Sequence, residues 1–174
     1  KLEITSAGTG AAIEKGRTGD ADILLVHAKS SEDTFIEEGF SKERIPFMHN
    51  FFVIVGPEGD PAGVKTATSA SDALKKIAQT EGVKFVSRGD NSGTHTAENK
   101  LWAAADIDPE GKDYYVSTGQ GMGASLNIAA EQQAYILTDK ATYLAHAKKA
   151  ELTLLLEESP DLKNTYSLLI ISTD

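Results

Sequence analysis

Hydrophobic residues along the chain form short β-rich runs that alternate with amphipathic stretches, a pattern typical of an α/β protein built on parallel strands. The pattern predicts strands over residues 2–4, 21–26, 51–55, 84–86, 114–116, 135–137, 152–156 and 166–172. Helices are predicted over residues 11–17, 31–38, 71–79, 96–105 and 139–147, with one more that begins at the turn 119–123 and ends near residue 132. Ser71 is the predicted N-cap of the third of these helices.

Two of the predicted strands, 51–55 and 166–172, are continuous in apolar residues, and we expect both faces of strand 51–55 to be buried. Between them lies the most loop-like part of the chain, the Gly- and Pro-rich stretch 56–63. These features predict two lobes, with the chain passing from the first lobe to the second and back again. Lobe I is predicted to comprise residues 1–55 and 164–174, and lobe II residues 56–163.

The 174-residue chain carries a formal net charge of -9 and contains no cysteine. The negative charge argues against nucleic-acid binding, which requires a basic face. It does not exclude a small anion, because donors in a dry cleft act at short range while charges beyond about 10 Å are screened. The lack of cysteine excludes disulfides, thiolate metal sites and cysteine nucleophiles.

Three predicted strand-to-helix loops are rich in Gly, Ser and Thr: residues 5–10, 87–96 and 117–123. In a parallel sheet such loops project from the carboxyl edge, where ligands bind, so they can converge. Each opens a helix whose first N–H groups lack partners within the helix, and glycine lets that backbone approach an anion closely. One interpretation is that these loops bind an anion through uncharged hydrogen-bond donors. The other is plain helix capping by Ser, Thr and Gly.

Arg88 begins the richest of these loops, directly after a short apolar run. Its side chain is therefore expected at the carboxyl edge of a strand. There its planar guanidinium can donate two parallel hydrogen bonds to an oxyanion. The alternative is a structural salt bridge, with Asp90 or Glu98 as the partner.

Other chemistries have weaker support in the sequence. The glycine spacing of 119–123 differs from that of the dinucleotide-binding fingerprint. A serine hydrolase would have to use Ser92 and His95, which lie three residues apart in one loop without an obvious orienting acid. The four histidines show no metal-ligand spacing, and we expect neither a metal nor a cofactor.

Four segments resemble the tungstate-binding proteins of tungstate ABC importers, and they occur in the order found in that family. They are residues 19–28 (Gly-Asp-Ala-Asp-Ile-Leu-Leu-Val-His-Ala), 52–57 (Phe-Val-Ile-Val-Gly-Pro), 87–95 (Ser-Arg-Gly-Asp-Asn-Ser-Gly-Thr-His) and 118–123 (Thr-Gly-Gln-Gly-Met-Gly). The resemblance covers nearly the whole chain and is most specific in the segment that contains Arg88.

The resemblance implies a type II periplasmic binding-protein fold, in which two α/β lobes are joined by two crossing strands and an oxyanion binds in the cleft between them. Residues 51–55 and 166–172 would be the crossing strands. Family members begin with an additional strand and a hydroxyl-rich loop, so we expect the first strand and loop of the N-terminal lobe to be absent from this sequence. In the family, residues matching Arg88 and Thr94 contact the anion. The further candidates that carry over are Ser92, Gly93, Thr9, Gly10, Met122 and Gly123.

The implied function is that of a periplasmic or extracellular solute-binding protein, not an enzyme, which captures tungstate and delivers it to the membrane permease of an ABC importer. We expect a monomer that neither binds nucleic acid nor inserts into the membrane. Molybdate, sulfate and phosphate remain alternative ligands, because similar uncharged donors bind them. The effector domain of a LysR-type regulator, which shares the fold, and a small serine hydrolase remain alternative functions.

Overall fold

A computed structural model describes residues 2–5, 7, 9–146 and 151–172 of the chain. It divides into two compact units, which are treated separately below. Unit 1 comprises Lys1–Asn50 and Asn164–Asp174, and unit 2 comprises Phe51–Lys163. The strands are β1 Ile23–Val26, β2 Ser41–Gly56, β3 Phe85–Ser87, β4 Tyr115–Ser117, β5 Tyr135–Asp139, β6 Thr153–Leu156 and β7 Lys163–Ile171. The helices are α1 Thr9–Arg17, α2 Lys29–Glu37, α3 Ala70–Gln79, α4 Gly93–Ala104, α5 Met122–Glu131 and α6 Lys140–His146, with short 3₁₀ turns at Val64–Thr66 and Pro160–Leu162.

The sheet of unit 2 contains three parallel strands, with β3 between β5 and β4. The last part of β2 pairs antiparallel with β5, and β6 also pairs with β2. Successive residues of these strands face two different cores, because side chains alternate along a strand. Ile54 and Phe85 lie in one core, while Val53 and Val86 lie in the other. The expectation that residues 51–55 are buried on both faces therefore agrees with the full burial of residues 53–55.

Helices cover both faces of this sheet. Helix α3 packs beside α4, and Leu74, Ile77 and Trp102 bury one face of the sheet. Helix α5 covers the other face through Leu126 and Ala129. As a result, α4 and α5 leave neighbouring strands on opposite faces, and both helices begin at the carboxyl edge of the parallel strands. In open α/β sheets, that arrangement creates a crevice at this edge.

Unit 1 is built around the antiparallel pair of β1 and β7, in which Leu24 lies opposite Leu169. These two leucines pack with Ile13 of α1 and Phe35 of α2 in the core of the unit. A buried ion pair adds to this packing: Arg44 binds Glu32, whose side chain is fully buried and also accepts a hydrogen bond from the Ala28 N–H at 2.6 Å.

Several sequence-based expectations about the elements are wrong. Helix α4 begins at Gly93, three residues before its predicted start. Residues 2–4 form no strand, and Leu2 and Ile4 are more than 80 % exposed, because a strand needs a pairing partner. The N-cap of α3 is Ser69, not Ser71: the Ser69 hydroxyl accepts the Asp72 N–H at 3.0 Å. The last strand, β7, begins at Lys163, three residues before the predicted start. The predicted helix 139–147 corresponds to α6, and its last predicted residue lies outside the described part of the chain.

Candidate functional site

The candidate site in unit 2 lies where β3 and β4 end side by side. The loop after β3 contains residues Arg88 to Ser92, which we name the arginine loop, and the loop after β4 contains Thr118 to Gly121. Both the N–H and the hydroxyl of Thr118 donate to the Ser87 carbonyl, at 3.0 and 3.1 Å. The predicted convergence of these two loops therefore occurs, and it is held by direct hydrogen bonds.

Gly89 is the point at which the two loops come closest. Its φ of +59° lies in the left-handed region, and a Cβ at this position would stand 1.8 Å from the Ser117 hydroxyl oxygen and 3.1 Å from its Cβ. Only glycine can meet both conditions without strain. Asn91, two residues later, also has a left-handed φ, of +56°. Asparagine tolerates this conformation better than most residues.

Within the arginine loop, Arg88 is paired with Asp90. Its Nε and Nη2 donate to Asp90 Oδ2 at 3.1 and 2.5 Å, and the two side chains are 20 % and 22 % exposed. The other oxygen of Asp90 accepts the Ser92 N–H at 3.1 Å. Of the two salt-bridge partners considered for Arg88, the structure contains the one with Asp90. This pairing does not exclude ligand binding, because a guanidinium has five N–H donors and Nη1 keeps both of its own.

The pKa of the Asp90 carboxyl lies below its usual value. Partial burial alone would raise it, but the hydrogen bonds from Ser92 and then the Arg88 guanidinium outweigh this effect. Asp90 is thus a carboxylate at neutral pH, and it neutralises part of the positive charge of Arg88.

Two helix N-termini provide unpaired donors at this edge of the sheet. In α4, the Ser92 hydroxyl caps the His95 N–H at 3.3 Å, whereas the Gly93 and Thr94 N–H groups have no protein partner among the described residues. In α5, the N-cap is Gly121, which offers no side-chain cap to the first turn. Such N–H groups and the positive end of the helix dipole favour an anion.

Met122 and Gly123 form the first turn of α5 together with Ala124, and a side chain at Gly123 would meet the ring of His146 at 3.1 Å. Thr94 is buried, with 8 % exposure, in the first turn of α4. The candidates Thr9 and Gly10 begin α1 in unit 1. Two other residues of their predicted loop, Ser6 and Gly8, lie outside the described residues. The assignment of all these residues to a ligand site remains a prediction.

The serine hydrolase alternative finds no support in this geometry. Ser92 Oγ accepts a backbone hydrogen bond as the N-cap of α4, and the His95 ring contacts Asn91 and Asn99 instead of the serine. A nucleophile–base hydrogen bond is therefore lacking here, although that mechanism depends on one. In the described part of the chain, no cluster of three or more His, Asp or Glu residues could hold a metal ion.

A buried hydrogen-bond cluster joins α4 to β4, and it was not predicted from the sequence. Glu98 is buried, and it accepts hydrogen bonds from Trp102 Nε1 at 3.1 Å and from the Tyr115 hydroxyl at 2.8 Å. Burial raises the pKa of Glu98, although these hydrogen bonds oppose the shift. Burial likewise raises the pKa of the Tyr115 hydroxyl. The spacing of Glu98 and Trp102, one helical turn apart, is the only signal in the sequence.

A pocket of about 410 Å³ occurs elsewhere in unit 2, at the opposite edge of the sheet, where β3 and β4 begin. Its lining includes Gln79, Glu81, Lys84 and Tyr114. The candidate anion donors lie at the other end of these strands, so this pocket is separate from the candidate site.

Comparison with known proteins identifies the family. The model of the PBP superfamily domain matches residues 1–173. The chain belongs to the PBP superfamily. It is 42 % identical over 176 residues to the tungstate-binding protein TupA of Peptoclostridium acidaminophilum, covering 100 % of this chain and 61 % of that relative. This chain of the PBP superfamily thus spans less than two thirds of the length of that relative.

Solved structures lead to the same family. The tungstate-binding protein TupA from Desulfovibrio alaskensis G20 matches with a TM-score of 0.89 and 44 % identity, over 99 % of this chain and 70 % of that one. The tungstate ABC transporter structure from Geobacter sulfurreducens matches with a TM-score of 0.71 and 45 % identity, over 96 % of this chain and 70 % of that one. The predicted α/β periplasmic binding-protein fold and the resemblance to tungstate-binding proteins are both confirmed.

Proposed function

We propose that this chain is the oxyanion-binding part of an extracytoplasmic solute-binding protein that captures tungstate for an ABC importer. The observation that carries the proposal is the position of Arg88, next to the unpaired N-terminal donors of α4 and α5 at one edge of the sheet in unit 2. The relatives named above are tungstate-binding proteins and a tungstate ABC transporter. None of these names describes an enzyme, in agreement with the expectation that the chain has no catalytic activity.

The donors of this site suit a tetrahedral oxyanion. Arg88 supplies a guanidinium whose charge Asp90 neutralises only in part, and its donors come from Nη1. Gly93 and Thr94 supply neutral N–H groups, and Thr94 also supplies a hydroxyl. Met122 and Gly123 supply the corresponding N–H groups of α5. Thr9 and Gly10, at the start of α1 in unit 1, are also proposed as ligand-binding residues. In this arrangement, one arginine fixes the orientation of the anion, and neutral donors bind its remaining oxygens.

The proposed partner is the membrane permease of an ABC importer, and the proposed location is the periplasm or the cell exterior. In the residues that the structure describes, no helix is long and apolar enough to cross a membrane. We also propose that the protein acts as a monomer.

The test is isothermal titration of the chain with tungstate, molybdate, sulfate and phosphate. We expect tungstate to bind, and Arg88→Ala to weaken that binding about 30- to 1,000-fold, because a charge-assisted interaction of this kind contributes about 2 to 4 kcal/mol. Arg88→Lys separates charge from shape, since lysine keeps the charge but cannot form two parallel hydrogen bonds. The tungstate affinity of Arg88→Lys should lie between those of wild type and Arg88→Ala.

Lys100→Ala is the matched control, because Lys100 is exposed on α4 and its loss changes the net charge equally. It should leave the affinity nearly unchanged. Equal weakening by Lys100→Ala and Arg88→Ala would show that only the net charge matters. Failure of all four anions to bind wild-type protein would overturn the proposal.

The regulator alternative has less support than the importer. One similar structure, 39 % identical with a TM-score of 0.76 over 98 % of this chain and 73 % of that one, is named as a LysR substrate binding domain, but of a putative periplasmic protein from Wolinella succinogenes. The structure of OxyR from Corynebacterium glutamicum is only 16 % identical to this chain, with a TM-score of 0.66, so that likeness reflects the fold alone.

A further inference from the structure

We propose that His95 is a positioning residue, which holds the arginine loop in its anion-binding form through the main chain of Asn91. This inference rests on the proposed function of the same site. His95 is 8 % exposed in the first turn of α4, and its Nδ1 lies 3.0 Å from the Asn91 backbone nitrogen. The side chain of α4 thus reaches back to the loop from which the helix starts.

The direction of this hydrogen bond determines the protonation of the ring. A backbone N–H can only donate, so Nδ1 has to be the acceptor and carries no proton. In the neutral imidazole, the proton is therefore on Nε2. The Asn99 side-chain nitrogen Nδ2 lies 3.3 Å from Nε2, so the Asn99 amide has to turn by 180° for its oxygen to accept the proton of Nε2.

The arginine loop needs such support because its backbone is unfavourable without it. Gly89 and Asn91 both have left-handed φ values, and for a residue other than glycine this conformation costs free energy. Several hydrogen bonds fix the loop. At its start, Ser87 Oγ accepts the Gly89 N–H at 3.1 Å. Farther along, Asp90 accepts the Ser92 N–H and pairs with Arg88, and His95 accepts the Asn91 N–H. Loss of the His95 hydrogen bond should let Asn91 leave its conformation and carry Asp90 and Arg88 with it.

The expected consequence is a lower population of the binding-competent loop. When only a fraction of the protein has the competent form, the apparent dissociation constant rises by the inverse of that fraction. Asn91 itself is exposed, so water can partly replace the lost acceptor, and loss of the net contribution of one hydrogen bond should reduce apparent affinity about 3- to 12-fold. His95 does not touch the ligand in this account.

The experiment compares two substitutions of similar shape. In His95→Asn, a side-chain oxygen can occupy the position of Nδ1, so the acceptor for the Asn91 N–H is kept. In His95→Leu, a methyl group occupies that position and the acceptor is lost. We expect His95→Leu to weaken tungstate binding about 3- to 12-fold, and His95→Asn to remain within about twofold of wild type.

NMR measurements on the ligand-free protein test the same proposal without any anion. The ¹⁵N spectrum of wild-type His95 should show the Nε2–H tautomer, and the Asn91 amide should exchange with solvent faster in His95→Leu than in His95→Asn. These measurements separate the two proposals, since they do not require that tungstate binds.

Several results would overturn the inference. A proton on Nδ1, or equal Asn91 exchange rates in the two variants, would show that the hydrogen bond does not hold the loop. Equal tungstate affinities of the two variants, together with a large loss in Arg88→Ala, would refute the role of His95 and leave the proposed function intact. Unfolding of His95→Leu, checked by circular dichroism, would show that His95 supports the whole unit instead of the loop.

Discussion

Gly89→Ala should damage the contact between the two loops of the candidate site. The added Cβ would meet the Ser117 hydroxyl at 1.8 Å in a residue whose φ is +59°. Left-handed backbone costs alanine about 1 to 2 kcal/mol. Rotation of the Ser117 hydroxyl removes the worst overlap, but Ser117 Cβ stays at 3.1 Å, so relief of the remaining overlap adds roughly 1 to 2 kcal/mol.

The total of about 2 to 4 kcal/mol can be measured as a loss of unfolding free energy in urea, or as a decrease of roughly 5 to 15 °C in Tm for a chain of this size. Gly119→Ala provides the control, because Gly119 has nearly the same φ, +63°, but no atom within 4 Å of the added Cβ. It should show only the backbone cost of about 1 to 2 kcal/mol. The difference between the two variants therefore isolates the loop contact.

The double variant Gly89→Ala, Ser117→Gly tests the identity of the clashing group. It should regain the part of the stability that the overlap costs, apart from the roughly 0.5 to 1 kcal/mol that glycine loses in a strand. Tungstate titration of Gly89→Ala should also show weaker binding, since the arginine loop has to move. Equal destabilisation by Gly89→Ala and Gly119→Ala would refute the reasoning, because it would mean that the close approach to Ser117 has no energetic consequence.

Two further predictions concern groups outside the arginine loop. Arg44→Ala should destabilise the protein by about 3 to 5 kcal/mol in urea unfolding, because it leaves the fully buried Glu32 without its partner. The double variant with Glu32→Gln should recover part of this loss, and no recovery would contradict the explanation. Asp161→Asn should cost about 1 kcal/mol at pH 7, because the exposed Asp161 carboxylate accepts the Ala70 and Ser71 N–H groups at 3.0 and 3.1 Å at the start of α3. Desolvation of the Asp161 carboxyl would raise its pKa, but hydrogen bonds from Ser159 and these N–H groups outweigh this effect, so the pKa lies below its usual value. The contribution of Asp161 to the free energy of unfolding is therefore fully present above the unfolded pKa of about 3.9. It is lost as the pH falls from there through the folded pKa. Urea unfolding at pH 7 and pH 3 should therefore show a smaller difference between wild type and Asp161→Asn in acid, and an undiminished difference would contradict this linkage.

Residues 51–55 illustrate what the sequence predicts well. An unbroken apolar run needs two buried faces, whatever its neighbours are, and in the structure each face packs into its own core. Residues 41–50, in contrast, contain no alternating pattern and include Pro46, and their inclusion in β2 was not predicted. Their extended form depends on pairing with residues that are distant in sequence, which local periodicity does not report.

The candidate site shows the same division. The candidate anion-binding residues could be predicted from the sequence, because Arg88 and the small, hydroxyl-bearing residues around it are defined by their chemistry and by their place between a strand and a helix. Three contacts could not be predicted in this way: the pairing of Arg88 with Asp90, the packing of Gly89 against Ser117, and the hydrogen bond between the His95 ring and Asn91. These contacts depend on left-handed φ values and on the adjacency of β3 and β4, and both are set by the packing of the whole sheet.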